Sequence, residues 1–241
     1  MQIPVIRGLI DRRILVNYRV QPEVLTRLLP SPFRPKIVNG SGMAGVCLIR
    51  LKHVRPKFLP AFLGLSSENA AHRIAVEWDV DGEAKEGVFV PRRDTSSRIN
   101  TKLGGRLFPG MQSHAVFQVQ EHDDHFRVQL TSDDHLTNLL VEGDATKELP
   151  STSVFGSLAA ASDFFERGSL GYSVTTKPGR YDGLELRSFN WQVRPLVVKN
   201  VKSSYFEDRE LFPTGSVDFD CALLMQGIEH EWHGRGCFCS E

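Results

Sequence analysis

Ala71-His72-Arg73-Ile74-Ala75-Val76-Glu77-Trp78-Asp79-Val80, then Asp81-Gly82 and the apolar return Gly87-Val88-Phe89-Val90, is the stretch that decides the fold. His72, Ile74, Val76, Trp78 and Val80 share one side of a two-residue period, the pattern of a β-strand. Asp-Gly between two such runs marks a tight turn, so the stretch reads as an antiparallel hairpin. The same reading extends outward in both directions. Upstream, Ile14, Val16, Tyr18 and Val20 alternate with more polar neighbours, and residues 42–51 form a mostly apolar run that suits a buried strand. Downstream, residues 113–120 and 125–131 flank Asp123-Asp124 as a second hairpin. Residues 136–142, 172–176, 184–189, 191–201 and 217–225 add further strand-like runs.

Helical patterns are few. Pro22 opens a short helix to Leu29, and Pro30 stops it. Residues 152–167 place Val154, Phe155, Leu158, Ala161 and Phe165 on one stripe, with Gly168 as the C-terminal cap. The sum is an α+β protein, mainly antiparallel β, whose sheet curves or closes into a barrel with a few helices. Such a barrel can enclose one small ligand. No linker, charge block or internal repeat divides the chain, so residues 1–241 are expected to form one domain.

Composition excludes several classes of function. Lys and Arg number 29 and so do Asp and Glu, so no overall charge favours nucleic acid or an anionic membrane. No apolar run approaches the roughly 18 residues of a spanning helix, and the first residues lack a signal-peptide pattern. Cys47 and Cys221 sit in apolar runs and read as core residues, while Cys237-Phe238-Cys239 reads as a frayed, reduced tail. A reducing cytoplasm fits this usage.

The segment Pro91-Arg92-Arg93-Asp94-Thr95-Ser96-Ser97-Arg98-Ile99-Asn100-Thr101-Lys102-Leu103-Gly104-Gly105-Arg106-Leu107-Phe108-Pro109-Gly110 holds five cations and one acid. Guanidinium forks bind carboxylates bidentately, and hydroxyls beside them add donors. Arg92, Arg98, Arg106 and Ser96 are therefore candidate ligand-binding residues for a small, anionic, carboxylate- or carbonyl-bearing molecule. The bland alternative is a solvated turn in which Asp94 bonds its own backbone. His72 lies on the apolar face of its strand, where a hydrogen-bonded core histidine competes with an acid/base role; with Glu68 upstream, the two are the candidate catalytic pair.

Several stretches together resemble the uncharacterised YqjF-like family. They are residues 91–98 and 104–110, Asp11-Arg12-Arg13 with Asn17-Tyr18-Arg19, residues 65–72, Ser203-Ser204-Tyr205-Phe206, and Leu223-Leu224-Met225 with His230-Glu231-Trp232-His233. That family is in turn distantly similar to acetoacetate decarboxylase, through Tyr18-Arg19, Leu29-Pro30, Gly105-Arg106 and Phe108-Pro109. The resemblance implies a β-barrel-like α+β fold with a central pocket. In the decarboxylase family a Lys-Lys pair follows the Phe-Pro step and supplies a Schiff-base amine. Gly110-Met111 stands there in this chain, so Schiff-base decarboxylation is not expected, and Lys102 is the nearest amine. The resemblance also implies a pocket glutamate near Glu68, with Asn69 at the gapless position. It implies an arginine on the first strand too, for which Arg12 and Arg13 are closest.

Other motifs point elsewhere or nowhere. His230 and His233 are three apart and would face opposite ways on a strand, so no metal site is expected. Gly-x-Ser-x-Gly, the phosphate-binding loop and the dinucleotide fingerprint are all absent from the sequence, and no cofactor is expected. The expected partners are thus a small-molecule ligand, no nucleic acid and no membrane, with a homo-oligomer compatible. Three functions remain open: an enzyme without a lysine Schiff base, a non-catalytic ligand-binding or sensing module, and a structural subunit whose arginine loop joins neighbouring copies.

Overall fold

The first and the last strands of the chain pair side by side in one wall of the molecule. The computed structural model describes residues 4–103 and 110–239. In chain order its strands are β1 (Ile6–Val20), β2 (Arg34–Pro35), β3 (Ile37–Val38), β4 (Ser41–Pro56), β5 (Leu65–Val80), β6 (Glu83–Thr95) and β7 (Ser113–His122). There follow β8 (His125–Ser132), β9 (Asn138–Ala145), β10 (Leu170–Val174), β11 (Arg180–Ser188), β12 (Arg194–Ser203) and β13 (Val217–Cys239). The helices are α1 (Pro22–Leu28), α2 (Arg98–Leu103), α3 (Leu158–Arg167) and α4 (Ser204–Glu207). Mainly antiparallel β with few helices is the expected class, and the sheet is closed as well as curved.

Closure happens twice over a shared wall. Strands β13, β1, β4, β5 and β6 pair in that order, mostly over long antiparallel registers. On one side β10 joins β6 in parallel, β11 joins β10, and β11 returns to β13, completing a seven-stranded ring. On the other side β7 starts in parallel from β6, and β8, β9 and β12 lead back to β13. The wall is therefore buried on both faces. One face contributes Ile14, Val16, Leu48, Ile74 and Leu224 to a core with Val128, Leu130 and Val141 of the second layer. The opposite face contributes Ile10, Leu15, Ile49, Leu223 and Met225 to a core with Phe155, Phe164 and Phe165 around α3.

Two of the register shifts within this wall bear on the site. Against β4, Ile10 pairs with Leu51 and Arg12 with Arg50, leaving Asp11 as an extra residue on β1. Against β5, Phe89 pairs with Ile74 and Arg92 with His72, so β6 carries an extra residue around Pro91. Pro donates no ladder hydrogen bond and is tolerated at such a bulge. A bulge turns the following residues over, so side chains an odd number apart share a face.

Local details depart from the sequence reading for clear reasons. The α3 helix starts at Leu158, capped by Ser157 Oγ accepting the Ala160 N–H at 3.1 Å, and not at residue 152. Residues 152–156 turn instead, because Asp220 takes the Ser153 hydroxyl and the Val154 N–H, at 2.7 and 2.9 Å. The tail read as frayed is strand: β13 continues to Cys239, pairing it with Arg180 on β11. The tight turn at Asp81-Gly82 stands as expected, with φ of 52° and 81°.

At Gly45 the β4 and β1 backbones approach closely. A Cβ there would lie 2.2 Å from the Val16 carbonyl oxygen, a backbone atom that cannot swing away. Gly45→Ala should cost about 1–3 kcal/mol by overpacking. Gly236→Ala, with no atom within 4 Å of the added carbon, should fall within roughly 0.5 kcal/mol of the parent. Urea unfolding of the two variants checks the contrast.

Candidate functional site

The candidate site is the inside of the seven-stranded ring. Two contiguous hollows lie there, sharing Ile49, Ala71, Arg93, Leu184 and Trp232, and enclosing about 880 and 670 Å³ with their open mouths. The walls are largely apolar, from Val88 and Val90 of β6, Leu184 and Leu186 of β11, Trp191, and Trp232 of β13. Three guanidinium groups, from Arg13, Arg73 and Arg93, enter this apolar space.

Each arginine is positioned by the wall. Arg13 follows the β1 bulge; its Nε donates to Cys47 Sγ at 3.2 Å, its Nη1 points to Met225 Sδ at 3.9 Å, and its guanidinium lies over Trp191. Arg73 on β5 donates to Asn17 Oδ1 and stacks over Phe165, 4.8 Å from the ring centre. Arg93 follows the β6 bulge and donates from Nε and Nη2 to Ser173 Oγ, at 3.0 and 2.9 Å. Among the described residues none of the three forms a salt bridge. Burial pulls the pKa of Arg73 and of Arg93 down to about 10, so both stay charged at neutral pH. Uncompensated buried cations cost several kcal/mol each, and an anion in the hollow would offset that.

The opposite face of the same strands is arranged differently. Arg12, 1% exposed, donates to Glu68 Oε2 at 2.5 Å and to Glu121 Oε1 at 2.7 Å. Arg50 completes the square, donating to Glu68 Oε1 at 2.5 Å and Glu121 Oε2 at 2.9 Å. Arg92 is likewise neutralised by Asp94 and Asp134, each at 2.8 Å. Cations on this face are paired with carboxylates; the three in the hollows contact neutral dipoles, sulfur and aromatic faces, and the two acidic residues that line the hollows, Asp94 and Glu166, form no salt bridge with them among the described residues.

The residues expected from the sequence are distributed as follows. Glu68, His72 and Arg92 are together on the face away from the hollow. Glu68 is held in the Arg12 and Arg50 square, and its backbone N–H donates to Ser96 Oγ at 3.0 Å. Ser96 is thus near Glu68, at the rim between β5 and β6. His72 is fully buried against Tyr205, with ring centres 4.7 Å apart. Arg98 opens α2 and is exposed, as is Lys102. Arg106, with Gly105, Phe108 and Pro109, lies outside the described residues. The residues that line the hollows but were not among the candidate site residues are the immediate neighbours: Asn69 beside Glu68, Arg73 beside His72, Arg93 beside Arg92 and Arg13 beside Arg12. Asn69 and Arg13 were within the resemblance, as the gapless position and as one of two first-strand arginines. The signal for Arg73 and Arg93 was weaker: each is a cation on a strand with two buried faces.

This closed, mainly antiparallel β-structure has the acetoacetate-decarboxylase-like fold. The structure of acetoacetate decarboxylase from Legionella pneumophila superposes with a TM-score of 0.63 at 11% identity, covering 97% of this chain and 87% of that one. An acetoacetate decarboxylase-like enzyme from Sphingomonas wittichii RW1 gives 0.61 at 12% identity, over 99% and 93%. The enduracididine biosynthesis enzyme MppR, complexed with pyruvate, gives 0.58 at 11%, over 98% and 90%. At these identities the likeness is one of fold. The chain itself belongs to the DUF2071 family, described as an uncharacterized conserved protein (COG2071), whose model matches residues 10–218. No curated protein matches it.

Two buried histidines give this architecture a pH dependence. Burial, with the charge of Arg92 added, takes His72 from an ordinary 6.5 to about 3; burial, then Arg13, takes His230 to about 4. The unfolded chain therefore binds these protons at higher pH than the native one. Their effect is absent above pH 6.5, and stability is lost as pH falls from there toward 4 and 3, by about 1.4 kcal/mol per unit for each excluded proton. His72→Leu should lose less stability than the parent between pH 7 and pH 5, measured by urea unfolding across that range.

Proposed function

We propose that the chain binds a small organic anion, a carboxylate- or carbonyl-bearing metabolite, inside the seven-stranded ring. The observation that carries this reading is the trio Arg13, Arg73 and Arg93, Arg73 buried and the other two half-buried, lining a largely apolar hollow with no salt-bridge partner among the described residues. A guanidinium fork matches a carboxylate, and the aromatic and aliphatic walls suit a short carbon skeleton. MppR, of similar fold, is described in complex with pyruvate and with a condensation product of pyruvate and imidazole 4-carboxaldehyde. That supports a 2-oxo acid as the first ligand to try.

Lysine Schiff-base chemistry is not part of the reading. The described residues lining the two hollows include no lysine, Lys102 is exposed, and Lys36 is engaged by Glu86 and the Phe164 ring. Glu68 and His72, the catalytic pair expected from sequence, are not given a role, since the one is tied to two arginines and the other is buried behind Tyr205. Arg92 and Ser96 serve the same opposite face, and Arg98 an exposed helix. The anion is assigned instead to the three arginines of the hollow. The compartment is read as the cytoplasm from four free cysteines. Among the described residues no helix is long and apolar enough to cross a membrane.

Thermal shift across a panel of 2-oxo acids, simple carboxylates and uncharged analogues tests the reading. An anion at a hundred times its Kd should add about 2.7 kcal/mol, roughly 5–10 °C for a chain of this size. Arg93→Gln should weaken binding about 30-fold or more while leaving a folded protein, as loss of one partner in a buried charged contact does. A panel in which no anion raises the melting temperature sinks the proposal. A borohydride-stable adduct of pyruvate on Lys102 would restore the Schiff base.

A further inference from the structure

We propose that Cys47 is the nucleophile of this hollow, adding reversibly to the carbonyl carbon of a carboxylate-bearing aldehyde or ketone held by Arg73 and Arg93. The inference rests on the reading of the hollow as an organic-anion site. Cys47 stands in the middle of the shared wall, paired with Leu15 of β1 on one side and Ala71 of β5 on the other. It is 7% exposed, and it lines the hollow together with Arg13, Arg73 and Arg93. Its sulfur accepts the Arg13 Nε–H at 3.2 Å. Arg73 and Arg93 are both close enough to interact electrostatically with it. Cys47 is buried, but it borders the hollow, and cations around a cysteine are the setting in which thiolates act as nucleophiles.

A second feature points independently to a ligand beside that sulfur. Arg73 is 7% exposed, lines the same hollow, and its Nε–H has no hydrogen-bond partner among the described residues. A buried donor left open costs about 1–3 kcal/mol, and a carboxylate oxygen would satisfy it. The hollow thus offers an anion donor and a nucleophile side by side. Cys221 is the internal contrast. It is packed in the same core beside Asp220, its thiol is pushed up to about 12 by burial, and it does not line the hollow. Ser67, Ser169 and Ser188 also face the space, but a serine hydroxyl needs a neighbouring base before it attacks, and no histidine lines either hollow among the described residues.

The step is balanced within the site. The thiol gives up its proton, the S–C bond forms, and the C=O π pair moves to oxygen. That oxygen, facing guanidinium N–H donors, takes one proton and becomes the hydroxyl of a hemithioacetal or hemithioketal. Nothing is oxidised or reduced, and the carboxylate is unchanged.

The experiment uses the full chain with Cys237→Ser and Cys239→Ser, so that Cys47 and Cys221 are its only thiols. 3-Bromopyruvate, which alkylates sulfur with loss of bromide, is compared with uncharged iodoacetamide by intact mass and peptide mapping. Expected is modification of Cys47 and not Cys221, a rate that saturates with bromopyruvate, and slowing by about tenfold with excess pyruvate. Arg73→Lys, which keeps the charge but not the fork, and Arg93→Gln should each slow bromopyruvate by about tenfold with little effect on iodoacetamide. With [2-13C]pyruvate, a tetrahedral-carbon signal distinct from the free hydrate should appear and be missing in Cys47→Ser. If Cys47 stays unmodified, or reacts without protection by pyruvate, while 2-oxo acids still raise the melting temperature, the nucleophile is overturned and the binding site stands. If neither labelling nor thermal shift occurs, both are overturned.

Discussion

The constraint on which this structure depends is a five-stranded wall buried on both faces. Strands β13, β1, β4, β5 and β6 are each paired on both edges, and each of their faces meets a separate core. Along their middles such strands leave no solvent side on which to place a charge, whereas at their ends Arg7, Lys52 and Arg235 reach solvent. An arginine in the middle must be satisfied inside the protein or be left for something that enters it.

The two faces solve that problem in opposite ways. On one, Arg12, Arg50, Glu68 and Glu121 form a neutral square that ties β7 to the wall, and Arg92 is bound by Asp94 and Asp134. On the other, Arg13, Arg73 and Arg93 meet only an amide, a hydroxyl, sulfurs and aromatic rings. The first arrangement holds layers together and consumes its charge. The second keeps positive charge in a space of metabolite size, which is a cost to folding unless an anion enters. Arg12 and Arg13, or Arg92 and Arg93, are adjacent in sequence and have opposite fates because strand neighbours point to opposite faces.

Most of the strand architecture was legible from alternation and turn chemistry. The hairpins at Asp81-Gly82 and Asp123-Asp124 and the apolar run of β4 are local signals, and local physics is enough to make them. The ends of elements were less legible. The α3 start depends on Asp220, far away in sequence, capturing the turn before it, and the length of β13 depends on β11 coming alongside. The site was legible only to within one residue. His72 shares an apolar stripe with Ile74, Val76 and Trp78, and a stripe of that kind marks a buried face without saying which of two cores it meets. The bulges at Asp11 and Pro91 then shift the period, so Ile10 is grouped with Arg13, and Val90 with Arg93, against simple parity.

By itself, the sequence determined that this is a closed, mainly antiparallel β-protein of one recognisable family, with arginines concentrated near its centre and no lysine after the Phe-Pro step. Periodicity, turn residues and motif spacing are properties of neighbouring residues, so a single chain displays them. Tertiary structure alone decided which arginines line the hollow without a salt-bridge partner among the described residues, and that Cys47 stands among them. That choice turns on which face of a doubly buried strand opens into a ring. Pairings between strands nearly the length of the chain apart, and the bulges at Asp11 and Pro91, set it.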